Sequence, residues 1–329
     1  VDVSQFIDDH QISQVSSSDD GLHLDNYSPG NFEWWYFDIT DPDTDSILKI
    51  VIHLGTDPLR RRFYPQIALS LNTPAVKKTF TQRYQLDDFT AAPDACNLKI
   101  ADNLHCYLKD DNYHILIDIQ DFKGEFTFRN RSSGWKPLGN ELTFEKKKRS
   151  AAFGWIIPAP RAAVTGTFNF NGQKVELKNA DGYHDHNFWK VNLTNKLYMD
   201  SVISRWYWGR FYTSDHTIIF MNTNFKNNKI RSLYISDEKQ LIHSSNNIMQ
   251  FHIDEHRSDV RLNCTYPSRA AITSLQKPDK YNLTLAIKEV IDYKDLLSGV
   301  NPLIAFLIKT FVSKPYYLSL KTDCRLIYD

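Results

Sequence analysis

The chain has 329 residues, with 39 Lys and Arg against 39 Asp and Glu, so its formal net charge is zero. That balance argues against a general nucleic-acid binder, whose phosphate contacts need excess positive charge. A hydrophobic fraction of 42% rules out global disorder. Aromatic residues reach 13% while only 12 residues are Gly, a β-leaning composition because flat and branched side chains suit a pleated surface. The length favours two domains or one large all-β unit. No apolar run is long enough for a spanning helix, so no stable membrane insertion is expected. The chain starts with neither Met nor an apolar leader, a beginning that a removed signal peptide would also give.

Residues 1–30 are polar and are expected to form an N-terminal arm packed on the surface. From Phe32 on, short alternating runs dominate. Strands are expected at Ser46–Leu54, Gln66–Leu71, Tyr113–Ile119, Glu125–Arg129 and Ala163–Phe170. Asn171-Gly172, between Phe170 and Lys174–Leu177, predicts a tight hairpin. The pattern restarts near residue 200, with strands expected at Trp206–Tyr212, Thr217–Met221, Arg231–Ile235, Asp259–Cys264, Tyr281–Ile287 and Tyr316–Lys321, the last running into Leu326–Tyr328. Two such series predict two β-domains, at about 31–195 and 196–329. Tyr293 to Val312 breaks the rule: its apolar residues have helical spacing, and Pro315 ends it. A helix at about 293–313 is expected, either covering a barrel end or forming an entrance lid or a peripheral membrane contact.

The cysteines, Cys96, Cys106, Cys264 and Cys324, form no CxxC pair, which argues against a zinc ribbon or a thioredoxin-like site. Cys96 and Cys106 span a hairpin-sized loop. Four cysteines are ordinary for a cytosolic protein, while sequons at Asn26, Asn130, Asn192, Asn263 and Asn282 keep secretion open. The compartment is left unassigned, with the cytoplasm preferred.

Six of the seven tryptophans fall in four stretches: Glu33-Trp34-Trp35-Tyr36-Phe37-Asp38, Phe153-Gly154-Trp155, Tyr183-His184-Asp185-His186-Asn187-Phe188-Trp189 and Arg205-Trp206-Tyr207-Trp208-Gly209-Arg210. In strands, period two puts Trp206 with Trp208 on one face, and Trp34 with Tyr36. One reading is aromatic core. The other is an aromatic-walled pocket for an apolar ligand, with a few polar groups inside. His184 and His186 share a face and Asp185 points opposite. A metal pair, with His53 or His216 as third ligand, would also need second-shell acceptors. No spacing supplies them, so no metal and no cofactor are expected. A structural hydrogen-bonded network and general acid–base use of these residues both remain open. Lys146-Lys147-Lys148-Arg149 reads as a solvated loop.

Together these motifs resemble the carotenoid hydratase (hydroxyneurosporene synthase) and AttH-like family. They are Glu33–Asp38, then Gly154-Trp155 with Pro158, Pro160 and Gly166, then Gly182–Asn187, then Trp206–Arg210. The match covers about residues 30 to 212. The resemblance implies an all-β fold of two tandem lipocalin-like antiparallel barrels. It also implies cofactor-free chemistry on greasy unsaturated substrates: hydration of an isoprenoid double bond, or the decalin-forming Diels–Alder cyclisations of similar fungal enzymes. Two departures stand out. Phe188-Trp189-Lys190 follows the motif where the family has Trp-Gly. The strand Thr217–Asn222 lacks the carboxylate with which hydratases protonate the alkene, and Asp215 precedes it.

The expectation is therefore a cofactor-independent cyclase acting on a hydrophobic polyene-like metabolite. Trp34, Trp35, Tyr36, Trp155, Tyr183, Asn187, Trp206 and Trp208 would bind substrate. His184, Asp185, His186 or Arg210 would polarise a carbonyl or donate a proton, although Arg210 also suits a structural ion pair. The rival readings are a hydratase, a non-catalytic lipid or pigment carrier, and a structural surface protein.

Overall fold

A computed structural model describes residues 15–56, 62–225, 228–238, 241–246, 249–260, 262, 264–274, 281–295 and 316–328. The described residues form an all-β chain that groups into two compact units, Val1–Ser244 and Ser245–Asp329.

The first unit opens with a short 3-10 turn, Ser17–Asp20. Its large antiparallel sheet contains β1 (Phe32–Asp41), β2 (Ser46–Thr56), β3 (Phe63–Asn72), β4 (Lys77–Arg83), β5 (Phe89–Ala91), β6 (Asn97–Ile100), β7 (Leu104–Lys109), β8 (Asn112–Ile119), β9 (Phe122–Asn130), β10 (Leu142–Lys146), β11 (Arg149–Phe170) and β12 (Gln173–Val191). The spatial order is β4-β3-β2-β1-β12-β11-β9-β8-β7-β6-β5, with β10 on β11. The sheet curls on itself: Phe80 of β4 meets Phe122 of β9 and Phe170 of β11, at ring separations of 6.2 and 5.8 Å. Inside the curl lies the first apolar core, which includes Trp35, Phe37, Ile50, Ile115 and Phe126.

The Asn171-Gly172 hairpin forms as expected, both residues having positive φ, as a two-residue turn requires. Its strands run much further than the local pattern shows. β11 has 22 residues and β12 has 19. Their ladder slips between Ile156 and Ala159 and again between Ala159 and Ala162. Pro158 and Pro160 sit in these slips, where a missing N–H is tolerated. Past the slips, the residue 151–157 stretch of β11 and the 183–191 stretch of β12 carry a second core, against the sheet β13 (Ile203–Tyr212), β14 (Thr217–Phe225), β15 (Asn228–Ser236) and β16 (Leu241–Asn246).

The second unit holds the four-stranded antiparallel sheet of β17 (Met249–Asp259), β18 (Cys264–Ser274), β19 (Tyr281–Asp295) and β20 (Tyr316–Tyr328). Asp259–Cys264, expected as a strand, is instead a hairpin connection. Asp259 ends β17, Cys264 opens β18, and the Leu262 N–H donates to Asp259 Oδ1 at 3.1 Å. An Asp side chain that accepts a backbone N–H a few residues on favours a turn at this place. The helix expected at 293–313 is corrected at its start, since Tyr293–Asp295 finish β19. Residues 296–315 lie outside the described ones. Among the described residues, no helix is long and apolar enough to cross a membrane.

Within the described part of the expected N-terminal arm, Asp20 is buried, only 1% exposed. Gly21 permits this insertion: a Cβ there would stand 2.2 Å from the Pro93 carbonyl oxygen. All four cysteines are free, and the Cys96 and Cys106 sulfurs are 3.7 Å apart.

Candidate active site

β12 is flanked by β1 and β11, so period-two alternation sends the motif Tyr183–Asn187 to two opposite faces. His184 and His186 point into the first core. His184 stacks on Phe37 at 3.8 Å and His186 on Trp35 at 4.3 Å. His184 Nε2 is 2.9 Å from Asp20 Oδ2, and its Nδ1 is 3.0 Å from the Tyr36 carbonyl oxygen. His186 Nε2 is 2.8 Å from Glu33 Oε1, and its Nδ1 is 3.1 Å from Asp20 Oδ1. The Trp35 indole N–H donates to the Asp20 carbonyl oxygen at 3.2 Å.

Both histidines, Asp20 and Glu33 are buried. Burial opposes the charges of Asp20, Glu33 and His186, but their contacts outweigh it. Asp20 and Glu33 are held below the ordinary carboxylate range by the facing imidazoles. His186 is lifted from 6.5 to about 9 by its contacts with Asp20 and Glu33. This face carries a hydrogen-bonded network of both histidines with Asp20 and Glu33, without Asp185. Asp20, Glu33 and His23 are the members that the sequence did not single out for it.

The opposite face carries Tyr183, Asp185 and Asn187 on β12, Trp155 on β11, and Tyr36 and Asp38 on β1. Asp185 is 4% exposed. Its Oδ2 accepts the Tyr183 hydroxyl at 2.7 Å and the Trp155 indole N–H at 3.2 Å, and its Oδ1 accepts the Asn187 amide at 2.8 Å. Burial dominates, opposed by the bonds from Tyr183 and Trp155, and raises the Asp185 carboxyl from 3.8 to about 6. Burial and the neighbouring carboxylate push the Tyr183 phenol well up.

β13 covers this face with half-buried side chains. Trp206, Trp208, Arg210 and Tyr212 alternate on its inner side. Trp208 stacks on Tyr183 at 5.4 Å and meets Tyr36 edge-on at 6.1 Å. Trp206 meets Trp155 and Phe153 edge-on at 5.6 and 5.3 Å. Arg210 pairs with Asp38, whose other oxygen accepts the Tyr36 hydroxyl at 2.9 Å, and its guanidinium lies 5.2 Å from the Tyr183 ring centre.

Of the expected site residues, the structure therefore gathers Tyr36, Trp155, Tyr183, Asp185, Asn187, Trp206, Trp208 and Arg210. It sets Trp35, His184 and His186 behind them, on the other side of the sheet. Trp34 stacks on Phe32 and approaches His53, further along the Tyr36 face. Of the third metal ligands considered, His53 adjoins Trp34 and Tyr64, and His216 lies in the β13–β14 turn. A separate polar cleft of about 610 Å³ is lined by Arg129, Arg131, Ser132, Ser133, Asn179 and Glu238 among others, and by none of the expected site residues.

Fold and site together define an all-β, lipocalin-like protein with a carboxyl set in an aromatic wall. No protein-family model matches the chain. Hydroxyneurosporene dehydrogenase of Chlorobaculum tepidum is 22% identical over 233 residues, 59% of this chain and 56% of that protein. The match thus spans little more than half the length of that curated relative. An AttH-type protein from Nitrosomonas europaea has a similar crystal structure, with a TM-score of 0.61 at 15% identity, covering 94% of this chain and 93% of that one. Kievitone hydratase from Nectria haematococca gives 0.51 at 13% identity, covering 87% and 85%. CghA with Sch210972 gives 0.52 at 10% identity, covering 88% and 87%. The chain is thus similar to the carotenoid hydratase and AttH-like family, as its four motifs imply.

Proposed function

We propose that the chain is a cofactor-independent enzyme of secondary metabolism. It binds a hydrophobic polyene-, isoprenoid- or polyketide-like substrate against Tyr36, Trp155, Trp206 and Trp208, and cyclises it with Asp185 as proton donor. One observation carries this reading: a buried carboxyl, fixed by Tyr183, Trp155 and Asn187, sits on a largely aromatic face beside the Arg210–Asp38 pair, covered by half-buried indoles. Such a wall folds a flexible chain into a reactive conformer and excludes water. Asp185 transfers its proton to an alkene carbon, forming a C–H bond and leaving a cation that the indole faces stabilise. A second alkene of the same molecule attacks the cation and closes a C–C bond. A neighbouring C–H proton returns to the carboxylate, so product and substrate have equal mass. Arg210 is committed to Asp38, and the His184–His186 network holds β12 in register behind Asp185. The structural likeness to a hydratase and to CghA supports a fold suited to such ligands.

Hydration is the second reading, and one feature favours it: Asp185 supplies the carboxyl that β14 lacks. Incubation with a panel of linear polyenes and acyclic carotenoids in ¹⁸O-water separates the readings. A cyclase yields an isomer of unchanged mass. A hydratase adds labelled water. Recovery of every compound unchanged but bound would leave a carrier and overturn both.

A further inference from the structure

We propose that His23, Glu33 and His186 form a divalent-metal site of the two-histidine, one-carboxylate kind, suited to Zn²⁺. It lies on the face of β12 opposite Asp185 and does not depend on the reading above. One donor atom from each residue lies within 4.8 Å of the other two. Both imidazoles aim at the same carboxylate oxygen: Glu33 Oε1 is 3.3 Å from His23 Nδ1 and 2.8 Å from His186 Nε2. Zinc bonds of about 2.0–2.2 Å place tetrahedral ligand atoms roughly 3.4 Å apart, so seating an ion requires the 2.8 Å contact between Glu33 and His186 to open by roughly 0.6 Å. Two nitrogens and one oxygen, with no sulfur, match the donor set of three-ligand zinc sites.

A partial outer shell is also present. A metal-bound imidazole turns its other ring nitrogen to a carboxylate, and His186 Nδ1 is 3.1 Å from Asp20 Oδ1, close enough for an ion pair but without hydrogen-bond geometry. Glu33 Oε2 accepts the Leu24 N–H at 3.1 Å, which fixes the carboxylate plane. The rings are held as well, His186 on Trp35 at 4.3 Å and His23 on Phe188 at 4.1 Å. Access comes through His23, whose side chain is 20% exposed while Glu33 is fully buried. The ion would tie the segment carrying Asp20 and His23 to β1 and β12. A second group, Asp20, Cys96 and His184, also brings donor atoms together, but all three residues are buried.

The test uses tag-free protein stripped with EDTA and titrated with ZnCl₂, followed by calorimetry, elemental analysis and thermal melting. The expected result is one zinc per chain and a raised Tm. His23→Ala weakens zinc binding at least about tenfold with an unchanged circular-dichroism spectrum, and Cys96→Ser binds as the wild type does. Cobalt loading of the wild-type chain gives ligand-field bands without a thiolate charge-transfer band, a readout that needs no variant to fold. Absence of uptake, wild-type affinity in His23→Ala, loss of binding in Cys96→Ser, or a thiolate band would each overturn the assignment.

Discussion

Replacing Asp185 by Asn is expected to make the protein more stable above pH 6 and at the same time inactive. The wild-type carboxyl is raised from 3.8 to about 6 because it is buried. Between about pH 4 and pH 6 the folded state therefore binds more protons at this site than the unfolded state. Stability falls across that window as pH rises. A shift of about two units corresponds to about 3 kcal/mol, lost in full once Asp185 is ionised in its buried place. Asn has no such charge. Its amide oxygen still accepts from Tyr183 and Trp155. Its NH₂ can serve Asn187 Oδ1, a buried oxygen with no hydrogen-bond partner. At pH 8 the variant should exceed the wild type by up to about 3 kcal/mol, and at pH 4 the two should coincide. Denaturant titrations in metal-free buffer, followed by tryptophan fluorescence, report on the right unit, because all seven tryptophans precede Ser245. Turnover should drop at least about 100-fold through loss of the proton donor. A stability difference that does not change with pH, or wild-type turnover in the folded variant, would refute the reasoning.

Arg210→Met should cost about 3 kcal/mol, because it leaves Asp38, 3% exposed, without its cation. Adding Asp38→Asn should restore most of that in urea titrations. Trp206→Ala should raise KM and cost only about 1–2 kcal/mol, because the ring is half-buried, against about 3–5 for the fully buried Trp155→Ala. The reverse order of melting temperatures would place Trp206 in the core and remove it from the wall. Gly166→Ala should destabilise by about 1–3 kcal/mol, since a Cβ would stand 2.2 Å from the Glu125 carbonyl oxygen. Gly172→Ala, where a Cβ meets nothing within 4 Å but φ is +78°, should cost only about 1 kcal/mol. Chemical denaturation of the two variants tests that ranking.

The β character of the chain was legible because alternation survives in nearly every strand, and the Asn171-Gly172 turn carries its own geometry. Asp259–Cys264 misled, since the alternation of Val260-Arg261-Leu262 between Asp and Asn suits a strand or a turn equally well until the pairing is known. The length of β11 and β12 was also hidden. Pro158 and Pro160 break the local pattern, yet the strand continues past them through ladder slips. At the site, sequence reasoning found the motifs and the face shared by Trp206 and Trp208. It did not find Asp20 and Glu33, whose contacts with His184 and His186 span 164 and 153 residues. Burial of those acids depends on how the arm folds back over Gly21, a tertiary event with no local periodicity. A polar residue immediately before such a glycine was the one signal available.

The alternation of β12 also settles why a single motif mixes so many kinds of chemistry. Tyr183, Asp185 and Asn187 face indoles and a guanidinium, whereas His184 and His186 face two acids and the first core. A slip of one residue in the β1–β12 register would exchange the two sets. It would put the Asp185 carboxylate against Asp20 and Glu33, and two imidazoles against the β13 indoles. The network of Asp20, Glu33, His184 and His186 therefore opposes that slip with buried, charge-assisted contacts whose loss costs several kcal/mol. In the proposed reaction the histidines position Asp185 without touching the substrate. Under that proposal, rigidity at Asp185 comes from the face of the sheet opposite the aromatic wall.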